Sequence, residues 1–143
     1  MAKILYTAHA RVTGGREGHG RSSDGALDVK LRRPKEMGGE GGGTNPEELF
    51  AVGYAACFES ALGVYARRQS MDTCDVAIES AVSLLPNGEG GFQLAVTLDV
   101  SLPSLGDRET AADLIRGADS VCPYSNATRG NIEVTLLYDG EPL

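Results

Sequence analysis

Three cysteines, Cys57, Cys74 and Cys122, are the residues of this chain best suited to covalent chemistry. A thiol attacks or ligates only as its thiolate, so each must be asked what would ionise it. Cys57 lies in a run of small and apolar residues, LFAVGYAACFESALGVYARR, and on position alone it reads as a small buried hydrophobe. About twelve residues into its helix, it is too far from the positive end for a dipole that acts only over the first turn. A cation must therefore come from elsewhere. The candidate is Arg16, held between glycines in the loop GGREGHGRSSDG from Gly14 to Gly25. Taken singly, each candidate also has a plain reading. Arg16 is a solvated loop side chain, Glu47 and Glu48 are acids at a helix N-terminus, Cys122 before Pro123 is a small residue at a helix end, and Cys74 is a structural residue at the start of a strand.

Other chemistries find little purchase. No Cys-x-x-Cys or His/Cys spacing occurs, and His9 and His19 are distant in sequence from every cysteine, so no metal site is expected. There is no G-x-S-x-G elbow, and the glycine-rich stretches match neither the phosphate-loop nor the dinucleotide pattern. The chain carries 13 Lys and Arg against 20 Asp and Glu, a net charge of −7. With no basic cluster interleaved with aromatics, nucleic acid is not an expected partner. The N-terminal MAKILYTAHARV has no apolar region followed by a cleavage site, and no run approaches the ~18 apolar residues of a membrane span, so the expected location is the cytoplasm. An odd, small number of cysteines argues against a secreted disulfide framework and leaves reactivity as their use. At 143 residues with 41% hydrophobic and 23% charged, the expectation is one soluble domain over residues 1–143.

The elements that must position these side chains follow from periodicity and punctuation. Residues 3–12 and 26–32 read as two strands, separated by the Gly14–Gly25 loop. The glycines of PKEMGGEGGG make that stretch a mobile connector. Asn45 as N-cap, Pro46 at the first helical position, and Glu47 and Glu48 in the first turn predict a helix that runs to about Arg68, buried on most sides. Residues 73–85 and 92–102 alternate as half-buried strands around the turn PNGEGG. Asp107 caps a second helix with an apolar stripe of Ala111, Leu114, Ile115 and Ala118, which reaches Cys122 if the helix continues one turn, and Pro123 ends it. A last strand covers Ile132 to Tyr138. The order ββ-α-ββ-α-β is an α+β layout.

Taken together, GGREGHGRSSDG, GGEGGGTNPEELFAVGYAACFESAL and VCPYSNATRGNIEV resemble the organic hydroperoxide resistance proteins, the Ohr branch of the OsmC superfamily, over essentially the whole chain and in the right order. The resemblance implies antiparallel sheets wrapped around two long central helices in an intertwined homodimer. It implies a cysteine-based peroxidase that prefers organic hydroperoxides to hydrogen peroxide, needs no bound cofactor and is recycled by a dihydrolipoyl group on a lipoylated partner protein. The family's peroxidatic cysteine falls on Cys57, its resolving cysteine on Cys122, its arginine on Arg16 with Arg21 as the fallback, and its acid on Glu47 rather than Glu48. Cys74 lies outside the motif.

On that footing Arg16 favours the Cys57 thiolate, and Glu47 orients the guanidinium through a two-pronged hydrogen bond. Oxidised Cys57 then condenses with Cys122 to a disulfide. Ten residues along one helix separate Glu47 from Cys57, roughly 15 Å. The acid is therefore expected at the thiol of a second copy, the two helices packing antiparallel about Val52 through Ala51, Gly53, Ala55 and Ala56. A hydroperoxide pocket is expected among Leu49, Phe50, Tyr54, Phe58 and Tyr124, from apolar character and nearness in sequence. Two rival readings are an OsmC-type peroxidase of broader substrate range, and a non-catalytic redox sensor that binds apolar ligands.

Overall fold

The structure, a computed structural model, describes residues 2–73 and 75–143. Two compact units meet in sequence between Leu49 and Phe50.

The first unit is built on a three-stranded antiparallel sheet of β1 (Ala10–Thr13), β2 (His19–Ser22) and β3 (Asp28–Lys30), in that order. Both strands expected here are shorter than the pattern implied. Residues 3–9 have strand-forming side chains but lie outside the ladder, and Ile4, Leu5 and Tyr6 are more than three-quarters exposed. A strand needs a paired neighbour as well as propensity. The glycine-rich loop, conversely, contains β2. Gly20 is buried opposite Val12 and Val29, and with no side chain to show the alternation it hid the strand in the sequence. The PKEMGGEGGG stretch is not the free connector expected. Gly41 N–H donates to Arg33 O, Arg32 N–H to Thr44 O and Thr44 N–H to Lys30 O. A Cβ on Gly39 would run into the Arg33 backbone, so glycine here serves close approach.

Helix α1 (Pro46–Arg68) begins at the end of this unit and continues through the second. Its start is as expected: the Asn45 side-chain oxygen accepts from Glu48 N–H at 2.8 Å, satisfying one of the unpaired N–H groups of the first turn. By length and mean composition α1 would pass for a membrane span, although Glu59 and Ser60 break its apolar run. One of its faces, Tyr54, Phe58, Ala61, Leu62 and Ala66, is buried in the core of the second unit, whereas Val52 is 71% exposed.

The second unit's sheet has the order β4-β5-β6-β7. Strands β4 (Ala77–Pro86) and β5 (Phe92–Ser101) form the expected hairpin, although β4 begins at Ala77 rather than at residue 73. Cys74, expected at the start of that strand, lies outside the described residues. Strand β6 (Glu133–Tyr138) pairs parallel to β5, and a short β7 (Glu141–Pro142) pairs antiparallel to β6. The parallel step departs from an all-antiparallel sheet because a helical crossover joins β5 to β6. That crossover holds α2 (Arg108–Val121), capped by Asp107 as expected, and α3 (Pro123–Thr128). Pro123 does end α2, but it also opens α3, since a missing N–H costs nothing at the first helical position. Cys122 is therefore a junction between two helices, with φ −64° and ψ 121°, rather than a further residue of α2. Val96, Leu98, Val100 and Leu102 of the sheet side pack with Leu62, Ile115, Ala118 and Cys122 in one core. The α+β class holds, and the order becomes βββ-α-ββ-αα-ββ.

Candidate active site

Two constellations of candidate residues stand out, one in each unit. In the first, Arg16 sits in a single helical turn, Gly15–Glu17, between β1 and β2. It grips Glu47 of the first turn of α1 with both prongs: Nη1 donates to Oε2 at 2.8 Å and Nη2 to Oε1 at 2.7 Å. A planar fork against a carboxylate fixes the guanidinium in angle as well as distance. The Glu47 side chain is only 15% exposed. Hydrogen bonds from Arg16 hold its carboxyl below the usual range, and the pair raises the arginine in return. Glu48 faces elsewhere, accepting from Thr44 Oγ1. Arg21, the fallback, lies on β2 beside Asp28 at 3.5 Å, and His19 pairs with the same carboxylate.

In the second unit, Cys122 Sγ lies 3.7 Å from Cys57 Sγ. Cys57 is half-buried, one turn beyond the buried Tyr54, while Cys122 is fully buried. An oxidant from solvent therefore meets Cys57 first. Disulfide formation needs the sulfurs to close to about 2.05 Å, a small movement from here. Burial pushes the Cys57 thiol up, the Tyr124 backbone N–H draws it back, and the neighbouring Cys122 thiol adds to the rise. Ionising Cys57 thus calls for more positive charge than these neighbours supply.

The five expected pocket residues separate. Phe58 is fully buried in the core. Tyr54 is buried too, its hydroxyl 2.8 Å from Ser125 Oγ and 3.2 Å from Thr128 Oγ1. Phe50 and Tyr124 instead line an open cleft of about 660 Å³ together with Phe92, Leu94 and Ile132. The rings of Phe50, Tyr54 and Tyr124 lie 5.6–6.0 Å apart, the spacing of edge and tilted aromatic contacts. Leu49 is half-buried at the end of the first unit. Among the described residues no group of three His, Cys, Asp or Glu could hold a metal ion.

Two contributions escaped the sequence reading. The Tyr124 N–H acts through the backbone, which no residue type announces. Its only signal is the Cys-Pro step, because a proline that opens a helix leaves early N–H groups without helical partners. The hydroxyls of Ser125 and Thr128 stand three apart on α3, a spacing that puts them on one face, but nothing in the sequence directs that face to Tyr54.

An OsmC-like protein family model matches residues 39–137. The organic hydroperoxide resistance protein of Xanthomonas axonopodis pv. citri is 52% identical over 138 residues, 94% of this chain and 94% of its own length. The crystal structure of an organic hydroperoxide resistance protein OsmC from Legionella pneumophila superposes with a TM-score of 0.91 at 49% identity, covering 95% of this chain and 98% of that one. The crystal structure of OhrB of Bacillus subtilis gives a TM-score of 0.86 at 46% identity, covering 94% and 99%. Sequence likeness at this level along nearly the full length, with the same fold, places the chain in the OsmC-like family, among its organic hydroperoxide resistance proteins.

Proposed function

We propose that this chain is a thiol peroxidase that reduces organic hydroperoxides to alcohols and so confers resistance to them. The observation that carries the reading is the pair of thiols 3.7 Å apart, one half-exposed and one buried, in a relative of proteins named for organic hydroperoxide resistance. The Cys57 thiolate attacks the outer peroxide oxygen; the S–O bond forms as the O–O bond breaks, and the alkoxide takes a proton and leaves as the alcohol. The Cys122 sulfur then attacks the Cys57 sulfenic acid, the S–S bond forms and water departs. A dihydrolipoyl group on a partner protein reduces the disulfide by thiol exchange and is itself oxidised.

Arg16, aimed by Glu47, supplies the positive charge that Cys57 lacks. Along α1 about 15 Å of helix separates Glu47 from Cys57, so we assign the clamp of one copy to the thiol of another. The exposed Val52 and the strand-forming but unladdered Ile4, Leu5 and Tyr6 are the surface that an intertwined dimer would cover. Bulky alkyl groups are preferred because the apolar side of the cleft, Phe50, Phe92, Leu94, Tyr124 and Ile132, rewards their burial and hydrogen peroxide has none to bury.

The test is steady-state consumption of cumene hydroperoxide and of hydrogen peroxide with dihydrolipoamide as reductant. Sustained turnover that favours cumene hydroperoxide is expected. Comparable rates on both would point to the broader OsmC-type peroxidase. A single oxidation without turnover would make the chain a redox sensor instead.

A further inference from the structure

The core beside the thiols holds three hydroxyls that peroxide chemistry does not consume. Tyr54, Ser125 and Thr128 are 0%, 2% and 7% exposed. Tyr54 Oη lies 2.8 Å from Ser125 Oγ and 3.2 Å from Thr128 Oγ1, and Thr128 Oγ1 donates in turn to Ser125 O. Buried hydroxyls are costly unless paired, and apolar side chains of like shape would fill the same space without that demand. Their placement says what the cluster holds. Tyr54 precedes Cys57 by three residues on α1, and Ser125 follows Cys122 by three on α3. The extended backbone at Cys122 turns the chain between α2 and α3, Arg129 ties the end of α3 back to Asp119 O of α2, and the buried hydroxyls join α3 to α1. Helix α3 also meets this turn of α1 through the Tyr124 N–H at the Cys57 thiol and through the Tyr124 ring, whose hydroxyl would be 3.0 Å from a Cβ on Gly53.

We infer that the buried hydroxyl cluster of Tyr54, Ser125 and Thr128 is a positioning device that keeps Cys122 within reach of Cys57 and directs oxidised Cys57 to the disulfide rather than to further oxidation. The inference rests on the peroxidase reading above. Once Cys57 is a sulfenic acid, two reactions compete for it. Attack by the Cys122 sulfur forms the S–S bond and releases water. A second hydroperoxide instead transfers its outer oxygen to the sulfur, giving the sulfinic acid and a second alcohol, a product that thiols do not reverse. The first route is intramolecular and depends steeply on where Cys122 sits. The second depends on hydroperoxide concentration and not on Cys122.

The ratio of sulfinic acid to disulfide at Cys57 therefore reads the device directly. Reduced protein is treated with an about tenfold excess of cumene hydroperoxide without reductant, and the products are counted by mass spectrometry of peptides kept non-reduced. Tyr54→Phe, which keeps the ring and removes the hydroxyl, is expected to raise the ratio about fivefold to tenfold. Ser125→Ala is expected to raise it about threefold and serves if Tyr54→Phe fails to fold. The double variant should be no worse than Tyr54→Phe alone, because the hydroxyls act as one unit. Variants that melt at lower temperature but keep the wild-type ratio would overturn the inference while leaving the peroxidase reading intact. A wild-type protein that forms neither product at Cys57 would overturn both.

Discussion

Arg16 and Glu47, 31 residues apart in sequence, meet through two parallel hydrogen bonds of 2.8 and 2.7 Å. Replacing Arg16 by Lys keeps the charge and loses the fork. We expect Arg16→Lys to lower kcat/KM by about tenfold or more, and Arg16→Ala by about a hundredfold, the size of a lost electrostatic partner at the reacting group. Equal activity of the lysine variant and the wild type would show that charge alone suffices.

The same pair sets a pH dependence. Because the carboxyl of Glu47 is held below its ordinary value by Arg16, its contribution to stability is complete above the ordinary carboxylate range and is lost as pH falls through the depressed value. The arginine is about a third exposed, so screening keeps the contribution near ~1 kcal/mol. Glu47→Gln should therefore melt earlier than the wild type at neutral pH. The gap should close as the solution is made more acidic than the usual carboxylate range.

Thiol titration followed by ultraviolet absorbance separates what burial does from what the guanidinium does. Burial pushes the Cys57 thiol up, so in Arg16→Ala the residue should stay protonated well above neutrality. In the wild type it should be largely thiolate at neutral pH. Mixing Arg16→Ala with Cys57→Ser protein should restore part of the activity if each site draws on two copies. Heterodimers then hold one site with both an intact clamp and an intact thiol. No recovery on mixing would place clamp and thiol in the same chain.

Gly117 offers a check on packing that leaves the thiols untouched. A Cβ there would overlap the Tyr65 ring, so Gly117→Ala must displace an aromatic side chain at a cost of about 1–3 kcal/mol, set against a helix-propensity gain of about 1 kcal/mol. A net loss of thermal stability is expected, recovered when Tyr65→Ala is added.

The parts of the fold that could be read from the sequence are those whose signal is local. Asn45-Pro46 and Arg67-Arg68 bracket α1 because caps and terminal charges act within one turn. Asp107 does the same for α2, and the strict alternation of residues 92–102 gives β5. Strand β2 was hidden because Gly20 stands where a side chain would have shown the period. Helix α3 was hidden because Pro123 stops one helix and starts another. In the site, neither cysteine announces its role by position, and no periodicity joins Arg16 to Glu47; only the family resemblance pointed there. The pocket was the least legible part. Tyr54 and Phe58 stand four apart on α1, the same stripe that faces the core, and apolar character cannot tell a core residue from one that lines an open cleft.

Peroxidase turnover in this chain requires that Cys57 be oxidised by a hydroperoxide and captured by Cys122. Its most direct test is mass spectrometry of non-reduced peptides after one equivalent of cumene hydroperoxide. A peptide crosslinked between residues 57 and 122 is expected, absent from Cys57→Ser and replaced in Cys122→Ser by sulfenic and sulfinic acid at position 57. Cys57 recovered as a free thiol after the hydroperoxide has been consumed would contradict it.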